Sequence, residues 1–112
     1  MLARTHRMRR SQDFRFTIHR GAKVRCPLAV VYAAAGTGQP LVGFVVSKAV
    51  GNSVIRHTVT RRLRAVMASR VSRLPGGSRV VVRALPPAAG ASYWELDRQV
   101  GRAVGQAAGV VL

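Results

Sequence analysis

Arginine side chains crowd into one short stretch of the chain, and their chemistry is that of phosphate binding. An arginine carries a permanent charge, and its planar guanidinium donates hydrogen bonds in a fork that fits a phosphate group. The stretch VIRHTVTRRLR at residues 54–64 contains Arg56, His57, Arg61, Arg62 and Arg64. Such a cluster indicates binding to the backbone of a nucleic acid.

Catalysis by the chain alone is harder to build from the residues present. Two-metal nucleases need several carboxylates around ions about 4 Å apart, and the sequence offers only Asp13, Glu95 and Asp97. The histidines lie far apart and lack the paired spacings of a zinc site. We therefore expect the chain alone to bind no metal or other cofactor. A metal-free nuclease that uses His19 and His57 as acid and base is a minor alternative.

The overall charge indicates the same class of partner. Lys and Arg number 19 against 3 Asp and Glu, a formal net charge of +16 at pH 7, which is strongly self-repelling unless a polyanion lies close. Only Lys23 and Lys48 are lysines, and this preference for arginine favours nucleic acid over a lipid surface. No apolar run approaches the roughly 18 residues of a membrane span, and Cys26 has no second cysteine to pair with. We expect a cytoplasmic protein with no membrane partner.

The basic stretch must be held by a helix that buries its other side. Asn52 or Ser53 can cap such a helix, which we expect to run to about residue 70. At about 100° per residue, one stripe is apolar and is predicted to be core; it consists of Ile55, Val59, Leu63, Val66 and Met67. The opposite side holds His57, Thr60, Arg61 and Arg64, with Arg56 and Arg62 at the two borders.

The segments around this helix predict further elements of both types. Before it we expect a helix at 12–20 capped by Ser11, followed by two strands within 23–34 that are separated at Pro27. A hairpin loop at 36–40 and a strand at 41–47 should complete this part of the chain. After it we expect a buried strand at 79–83 and a last helix that starts with a capping box of Ser92 and Glu95. Glycines recur every four residues in the last helix, at Gly101, Gly105 and Gly109. We expect these glycines to let the helix pack closely on the sheet rather than to form a membrane dimer motif.

The order of these elements predicts one α+β sandwich spanning residues 1–112. Residues 1–10 show no apolar periodicity, and we interpret them as a flexible basic arm whose Arg9 and Arg10 can lie along phosphates.

Aromatic side chains supply a second kind of contact, because unpaired bases stack on them. Phe14 and Ile18 are four residues apart on the first predicted helix, and Tyr32 lies on a neighbouring strand. For Phe14, a core role and a nucleotide contact are equally open. For Phe16 and Trp94, we expect burial or partial exposure.

With these residues in view, the chain resembles the protein subunit of bacterial ribonuclease P. The resemblance rests on Val45-Val46-Ser47-Lys48, Gly51-Asn52, Val54, Arg56 and Arg61-Arg62-Leu63-Arg64, supported by Met8-Arg9-Arg10, Asp13-Phe14, Gly21 and Tyr32. It implies helices packed on a mixed four-stranded sheet in the order α-β-β-β-α-β-α. It also implies a left-handed β-α-β crossover, similar to a domain of a small-subunit ribosomal protein.

The resemblance further implies that the catalyst is an RNA bound by one protein. This RNA removes the 5′ leader of precursor tRNA, and the Mg²⁺ that the reaction requires is held mainly by the RNA. The protein alone is then inactive. The residues implied to contact the catalytic RNA are Lys48, Asn52, Arg56, His57, Arg61, Arg62 and Arg64, with Arg9 and Arg10 from the arm. The residues implied to form a cleft for the single-stranded leader are Phe14, Ile18, Tyr32 and Ser47.

The sequence departs from the family pattern at a few positions. The usual Arg-Asn-Arg triplet is Arg56-His57-Thr58, and Thr60 stands where a basic residue is common. Ile18 replaces a second cleft aromatic and stacks poorly on a base. Two other functions remain open on the residues alone: a ribosomal or RNA-chaperone protein with no role in cleavage, and the free-standing nuclease considered above.

Overall fold

A computed structural model describes residues 2–112. Its helices are α1 (Ser11–Arg20), α2 (Ser53–Ala68) and α3 (Tyr93–Ala108), and its strands are β1 (Ala22–Arg25), β2 (Ala29–Ala34), β3 (Leu41–Val45) and β4 (Arg79–Ala84). Short 3₁₀ turns lie at Arg4–His6, Val71–Arg73 and Pro86–Gly90. The predicted α+β class and the order α-β-β-β-α-β-α are confirmed. Among residues 2–112, no helix is both long and apolar enough to cross a membrane.

The four strands form one mixed sheet in the order β1-β2-β4-β3. β1 pairs antiparallel with β2 and β2 antiparallel with β4, whereas β3 runs parallel to β4. Because α2 lies between β3 and β4 in the chain, these three elements form the expected β-α-β crossover. Its hand stays a prediction from the resemblance.

The loop at 36–40 does not close a hairpin, which corrects the sequence prediction. β4 lies between β2 and β3, because its valines are buried on both faces and so need a central position. The guanidinium of Arg79 instead organises this loop, donating to the carbonyl oxygens of Thr37 at 2.6 Å and Gln39 at 3.0 Å. The hairpin of this sheet is the β1–β2 pair, which turns at Pro27-Leu28 between the hydrogen-bonded Cys26 and Ala29.

The sheet carries helices on both faces, and strand periodicity sorts its residues between them. On one face, Val30, Tyr32 and Val81 pack with Met8 under α1. On the other face, the alternate strand residues form the larger core beneath α2 and α3; they include Ala29, Val31, Val42, Val80 and Val82.

The apolar stripe of α2 is buried as predicted except at its first member. Val59, Leu63, Val66 and Met67 are buried, but Ile55 is 37% exposed. Ile55 lies over Gly51 in the preceding turn, where a Cβ would come within 2.8 Å of its side chain. The helix begins as expected, since Asn52 Oδ1 accepts a hydrogen bond from the Ile55 backbone N–H at 3.0 Å.

The first helix starts one residue earlier than predicted, and Ser11 is not its cap. Arg10 occupies the capping position with no side-chain hydrogen bond to the helix. Its carbonyl oxygen accepts from the backbone N–H groups of Asp13 and Phe14. At the other end of the chain, the capping box of Ser92 and Glu95 is confirmed.

Residues 2–8 lie against the sheet, whereas the sequence suggested a free arm over 1–10. Leu2 and Met8 are buried, and the Met8 backbone N–H donates to the Val42 carbonyl at 2.9 Å. His6 Nδ1 lies 2.8 Å from the Pro40 carbonyl oxygen. Burial of Leu2 and Met8, together with hydrogen bonding to the open edge of β3, thus holds this segment in place. Its many arginines had suggested an unstructured arm. Met1, the first residue of the predicted arm, lies outside the described residues.

The glycines of α3 face neighbouring segments other than the sheet, which corrects their predicted role. A Cβ at Gly101 would meet the guanidinium of Arg70, and one at Gly105 would meet the carbonyl oxygen of Val110. Gly109 adopts φ 73° and ends the helix.

Candidate RNA interface

The outer face of α2 presents basic side chains that pair with no acidic residue of the described chain. His57 and Arg61 are exposed, whereas Arg56 and Arg64 are half-buried. The Nε atoms of Arg56 and Arg64 are buried with no hydrogen-bond acceptor. A buried Nε is closed to an outside ligand, so a phosphate would be bound through the parts of these half-buried guanidinium groups that reach solvent.

Arg62 lies apart from the other arginines of α2. Its Nη1 donates to the Ala91 carbonyl at 2.8 Å, just before α3 begins. This bond ties α2 to the start of α3, and it directs the guanidinium away from Arg61 and Arg64. Arg62 is therefore already engaged in holding two helices together.

The turn before α2 places Ser47, Lys48 and Asn52 at the surface. The Ser47 carbonyl accepts from the Val50 backbone N–H at 3.0 Å, which closes the turn. Asn52 uses its Oδ1 to cap α2, so its side-chain amide NH₂ is the part left for a ligand. Lys48 is exposed next to it.

Three of the predicted cleft residues, Phe14, Ile18 and Tyr32, meet between α1 and the sheet, and the fourth, Ser47, is exposed just after β3. Phe14 and Ile18 are half-buried and pack on the group that contains Tyr32 and Val30. Tyr32 is only 6% exposed, and Lys23 Nζ lies 6.0 Å from its ring centroid. Phe14 and Ile18 therefore offer more surface to a ligand than Tyr32 does.

Phe14 and Arg64 line the same small pocket, of about 110 Å³. Its other walls come from α2, β3 and the N-terminal segment; they are Arg7, Met8, Val42, Gly43, Phe44 and Thr60. The basic face of α2 and the aromatic cleft under α1 are thus parts of one continuous surface.

The structure adds basic residues that sequence reasoning did not assign to the cleft. The register pairs Lys23 with Tyr32, and it pairs both Arg25 and Arg83 with Val30. Paired residues share a face of a sheet, so these three cations lie on the α1 face. The alternation of charged and apolar residues in β1 was the available signal.

Arg9 and Arg10 are exposed at the start of α1. They are close in sequence to Arg7 and Met8, which line the pocket beside Arg64. The N-terminal arginines therefore lie near the junction of the two surfaces, on a segment held by the sheet.

The groups considered for acid and base catalysis lie on separate helices. His19 is exposed at the end of α1 and His57 is exposed on α2. Within the described part of the chain, no three His, Cys, Asp or Glu side chains come together as a metal site would require. Glu95 is engaged in a helix cap and Asp97 in an ion pair with Arg70. The arrangement suits binding of a polyanion.

Comparison with known proteins identifies the family. A family model of ribonuclease P matches residues 2–108. The ribonuclease P protein component of Beutenbergia cavernae is 53% identical over 102 residues, which cover 89% of this chain and 86% of that protein. That of a Nocardioides species is 50% identical over 106 residues, covering 91% of each.

The fold agrees with this assignment. The solved structure of the Staphylococcus aureus RNase P protein superposes with a TM-score of 0.83 at 23% sequence identity, covering 91% of this chain and 94% of that one. The predicted resemblance is confirmed: this chain belongs to the family of ribonuclease P protein components.

Proposed function

We propose that this chain is the non-catalytic protein subunit of a ribonuclease P ribonucleoprotein. In this proposal the protein binds one catalytic RNA through the basic face of α2. It holds the 5′ leader of precursor tRNA in the cleft between α1 and the sheet. The holoenzyme then cuts the leader from the tRNA and produces its mature 5′ end.

The observation that carries this proposal is the pocket shared by Phe14 and Arg64. A single strand held on Phe14 and Ile18 would pass directly beside the arginines of α2. One surface can therefore contact two RNA molecules at the point where they must meet, which is the geometry needed to orient a substrate against a catalyst.

Each part of the surface has its own contribution in this proposal. The guanidinium groups of Arg56, Arg61 and Arg64 neutralise phosphates of the catalytic RNA and release its counterions. Phe14 and Ile18 provide apolar contact for leader bases. Lys23 and Arg83, on the face of the sheet that carries α1, attract the phosphate backbone of the leader.

The proposal assigns the chemistry of cleavage to the RNA. The donor set of this chain does not fit a magnesium site, since its three carboxylates are few and two of them are already engaged. The Mg²⁺ that the holoenzyme needs is therefore assigned to the RNA. The +16 charge of the protein lowers the repulsion between catalyst and substrate, so less magnesium is required when the protein is present.

The test is cleavage of a 5′-extended precursor tRNA at low magnesium by the cognate RNA, with and without the protein. We expect stimulation only when both are present, and no cleavage by the protein alone at any magnesium concentration. Cleavage by the protein alone that is lost in His19→Ala or His57→Ala would overturn the non-catalytic assignment. Tight RNA binding without stimulation would instead support a ribosomal or chaperone role.

The leader assignment is tested by Phe14→Ala, with Phe16→Ala as the matched control on the same helix. Phe16 is 46% exposed and lies outside the cleft cluster. Loss of one stacked base is expected to weaken binding of precursor tRNA by roughly 5- to 100-fold, with mature tRNA unaffected. Equal losses for both tRNAs in Phe14→Ala, or equal effects of the two variants, would contradict the cleft.

A further inference from the structure

Two arginines on α3 stand over a groove that the surfaces above do not include. The groove has a volume of about 330 Å³ and lies between α3 and the end of β1. Arg98 and Arg102 form one wall, and the segment from Val24 to Pro27 forms the other. Val24 points toward the core under α3, and its neighbour Arg25 belongs to the α1 face, so the groove lies at the outer edge of β1, where the two faces of the sheet meet.

Neither Arg98 nor Arg102 forms an ion pair with an acidic side chain of residues 2–112. In the part of the chain that the structure describes, the only ion pair joins Arg70 to Asp97. Arg98 lies close enough to Glu95 to lower its pKa weakly, but the Glu95 carboxylate bonds to the Ser92 backbone N–H. Both Arg98 and Arg102 are exposed, so their guanidinium groups can bind a ligand that enters from the groove or from solvent.

A polar atom in the same groove also lacks a partner. Gln99 lines the groove, and its Oε1 is buried with no hydrogen-bond donor among residues 2–112. A buried acceptor without a donor is costly. A ribose hydroxyl or an exocyclic amino group of a base is a donor of the right kind.

Trp94 extends this surface by one helical turn. It is 73% exposed, and an aromatic ring at the surface offers a face on which an unpaired base can stack. The Tyr93 ring meets it edge-on, with centroids 5.1 Å apart and planes at 79°. Because residues four apart share a helix face, Trp94, Arg98 and Arg102 form a stripe about 12 Å long.

We infer that this stripe and its groove are a second binding surface, and that their occupant is a single-stranded segment of RNA. Trp94 stacks on a base and Arg98 and Arg102 bind successive phosphates. Gln99 accepts from a ribose or base donor once its amide turns from its buried position into the groove. The combination of one exposed aromatic ring, arginines and an unsatisfied acceptor fits RNA better than a lipid surface, which needs neither stacking nor a specific acceptor. The inference requires RNA binding by this chain, but not leader removal.

Trp94 is the only tryptophan of the chain, so its fluorescence reports on this surface alone. The probe is an unstructured oligouridylate of twelve nucleotides, titrated into the full chain. We expect saturable quenching that weakens with salt. In the double variant Arg98→Gln/Arg102→Gln, the midpoint should move by at least roughly fivefold. The control, Arg4→Gln/Arg73→Gln, removes the same charge elsewhere and should change the midpoint less than twofold.

Several outcomes would overturn the inference. These are no quenching by the oligouridylate, equal midpoints in the double variant and its control, and equal quenching by inorganic polyphosphate or by vesicles of anionic lipid. Circular dichroism of each variant confirms that it is folded. Quenching that persists when the protein fails to stimulate leader cleavage would uphold the second surface and reject only the proposed function. Stimulated cleavage without Trp94 quenching would do the reverse.

Discussion

The guanidinium of Arg70 donates from Nη1 to Asp97 Oδ1 at 2.6 Å and joins the segment after α2 to the middle of α3. The same group also donates to the carbonyl oxygens of Val66 and Asp97. Gly101 leaves the space that Arg70 occupies, because a Cβ there would lie 2.6 Å from its Nε and Nη2. The helix that bears the basic face is thus fixed against its neighbour by an ion pair between partly buried side chains.

Removing the carboxylate of this pair should destabilise the fold. In Asp97→Ala, Arg70 loses a charged acceptor, and we expect the free energy of unfolding to fall by about 1–3 kcal/mol. Urea unfolding followed by circular dichroism measures the loss. Asp13→Ala is the control, since it also removes a negative charge from this basic chain but breaks no ion pair between described residues.

A double-mutant cycle with Arg70→Met separates the pair from the surrounding charge. The two substitutions should be less than additive, because either one alone removes the interaction. Additive losses in the double variant would show that the pair contributes nothing to stability.

Gly43 controls the position of the Phe14 ring in the cleft. A Cβ at Gly43 would lie 2.5 Å from Cε1 and Cζ of Phe14. These atoms are the far end of a half-buried side chain, so in Gly43→Ala the ring can move at a cost of about 1 kcal/mol. We expect weaker binding of precursor tRNA and unchanged binding of mature tRNA, measured by filter binding.

Gly76→Ala is the control for this variant, since an added Cβ at Gly76 meets no atom within 4 Å. Wild-type affinity for precursor tRNA in Gly43→Ala, with the ring displaced, would show that Phe14 does not contact the leader.

Local patterns in the sequence predicted the elements better than their arrangement. The apolar spacing of Val59, Leu63 and Val66 marked the buried side of α2, and Ser92 with Glu95 marked the start of α3. Both signals arise from residues within a few positions of one another. The central place of β4 depends on pairing with distant strands, and the period of two that defines a face does not define strand order.

For the candidate site, too, the sequence predicted the residues better than their arrangement in space. Its arginines and Phe14 could be named from residue type, but their meeting in one pocket depends on how α1 and α2 pack on β3. The docking of Leu2 and Met8 was hidden among arginines. The bond from Arg62 to Ala91 joins residues 29 positions apart, so no local pattern could reveal that this arginine is engaged.

The arginines of α2 should dominate the salt dependence of binding to the catalytic RNA. If Arg61 and Arg64 each contact a phosphate, either substitution by alanine should reduce the slope of log affinity against log salt by about 0.7 to 0.9. Titrations at several salt concentrations give this slope. Arg73→Ala is the control, because Arg73 is exposed but bonds to the Ser69 carbonyl beyond the end of α2. Unchanged slopes in both variants would contradict the assignment of this face.

The capping box at the start of α3 should make stability depend on pH. The Ser92 backbone N–H, and then its hydroxyl, hold the pKa of the Glu95 carboxyl below its ordinary value of 4.5. A carboxyl whose pKa is lower in the folded state stabilises the fold above its unfolded pKa, and this contribution is lost as the pH falls through the folded value. We therefore expect Glu95 to contribute at pH 7 and to lose this contribution as the pH falls below 4.5 and through the lower folded pKa.

Glu95→Gln isolates this charge, because glutamine can still accept from the Ser92 N–H. Urea unfolding of both proteins between pH 7 and pH 3 should show a lower free energy of unfolding for the variant at pH 7 and a difference that narrows as the pH falls below 4.5. Ser92→Ala removes the cap itself and should cost about 1 kcal/mol at pH 7. The pH-dependent part of the difference in free energy of unfolding can come only from the ionised form of Glu95. If the difference between wild type and Glu95→Gln stays constant from pH 7 to pH 3, the helix responds to the shape of the side chain at this position and not to its charge.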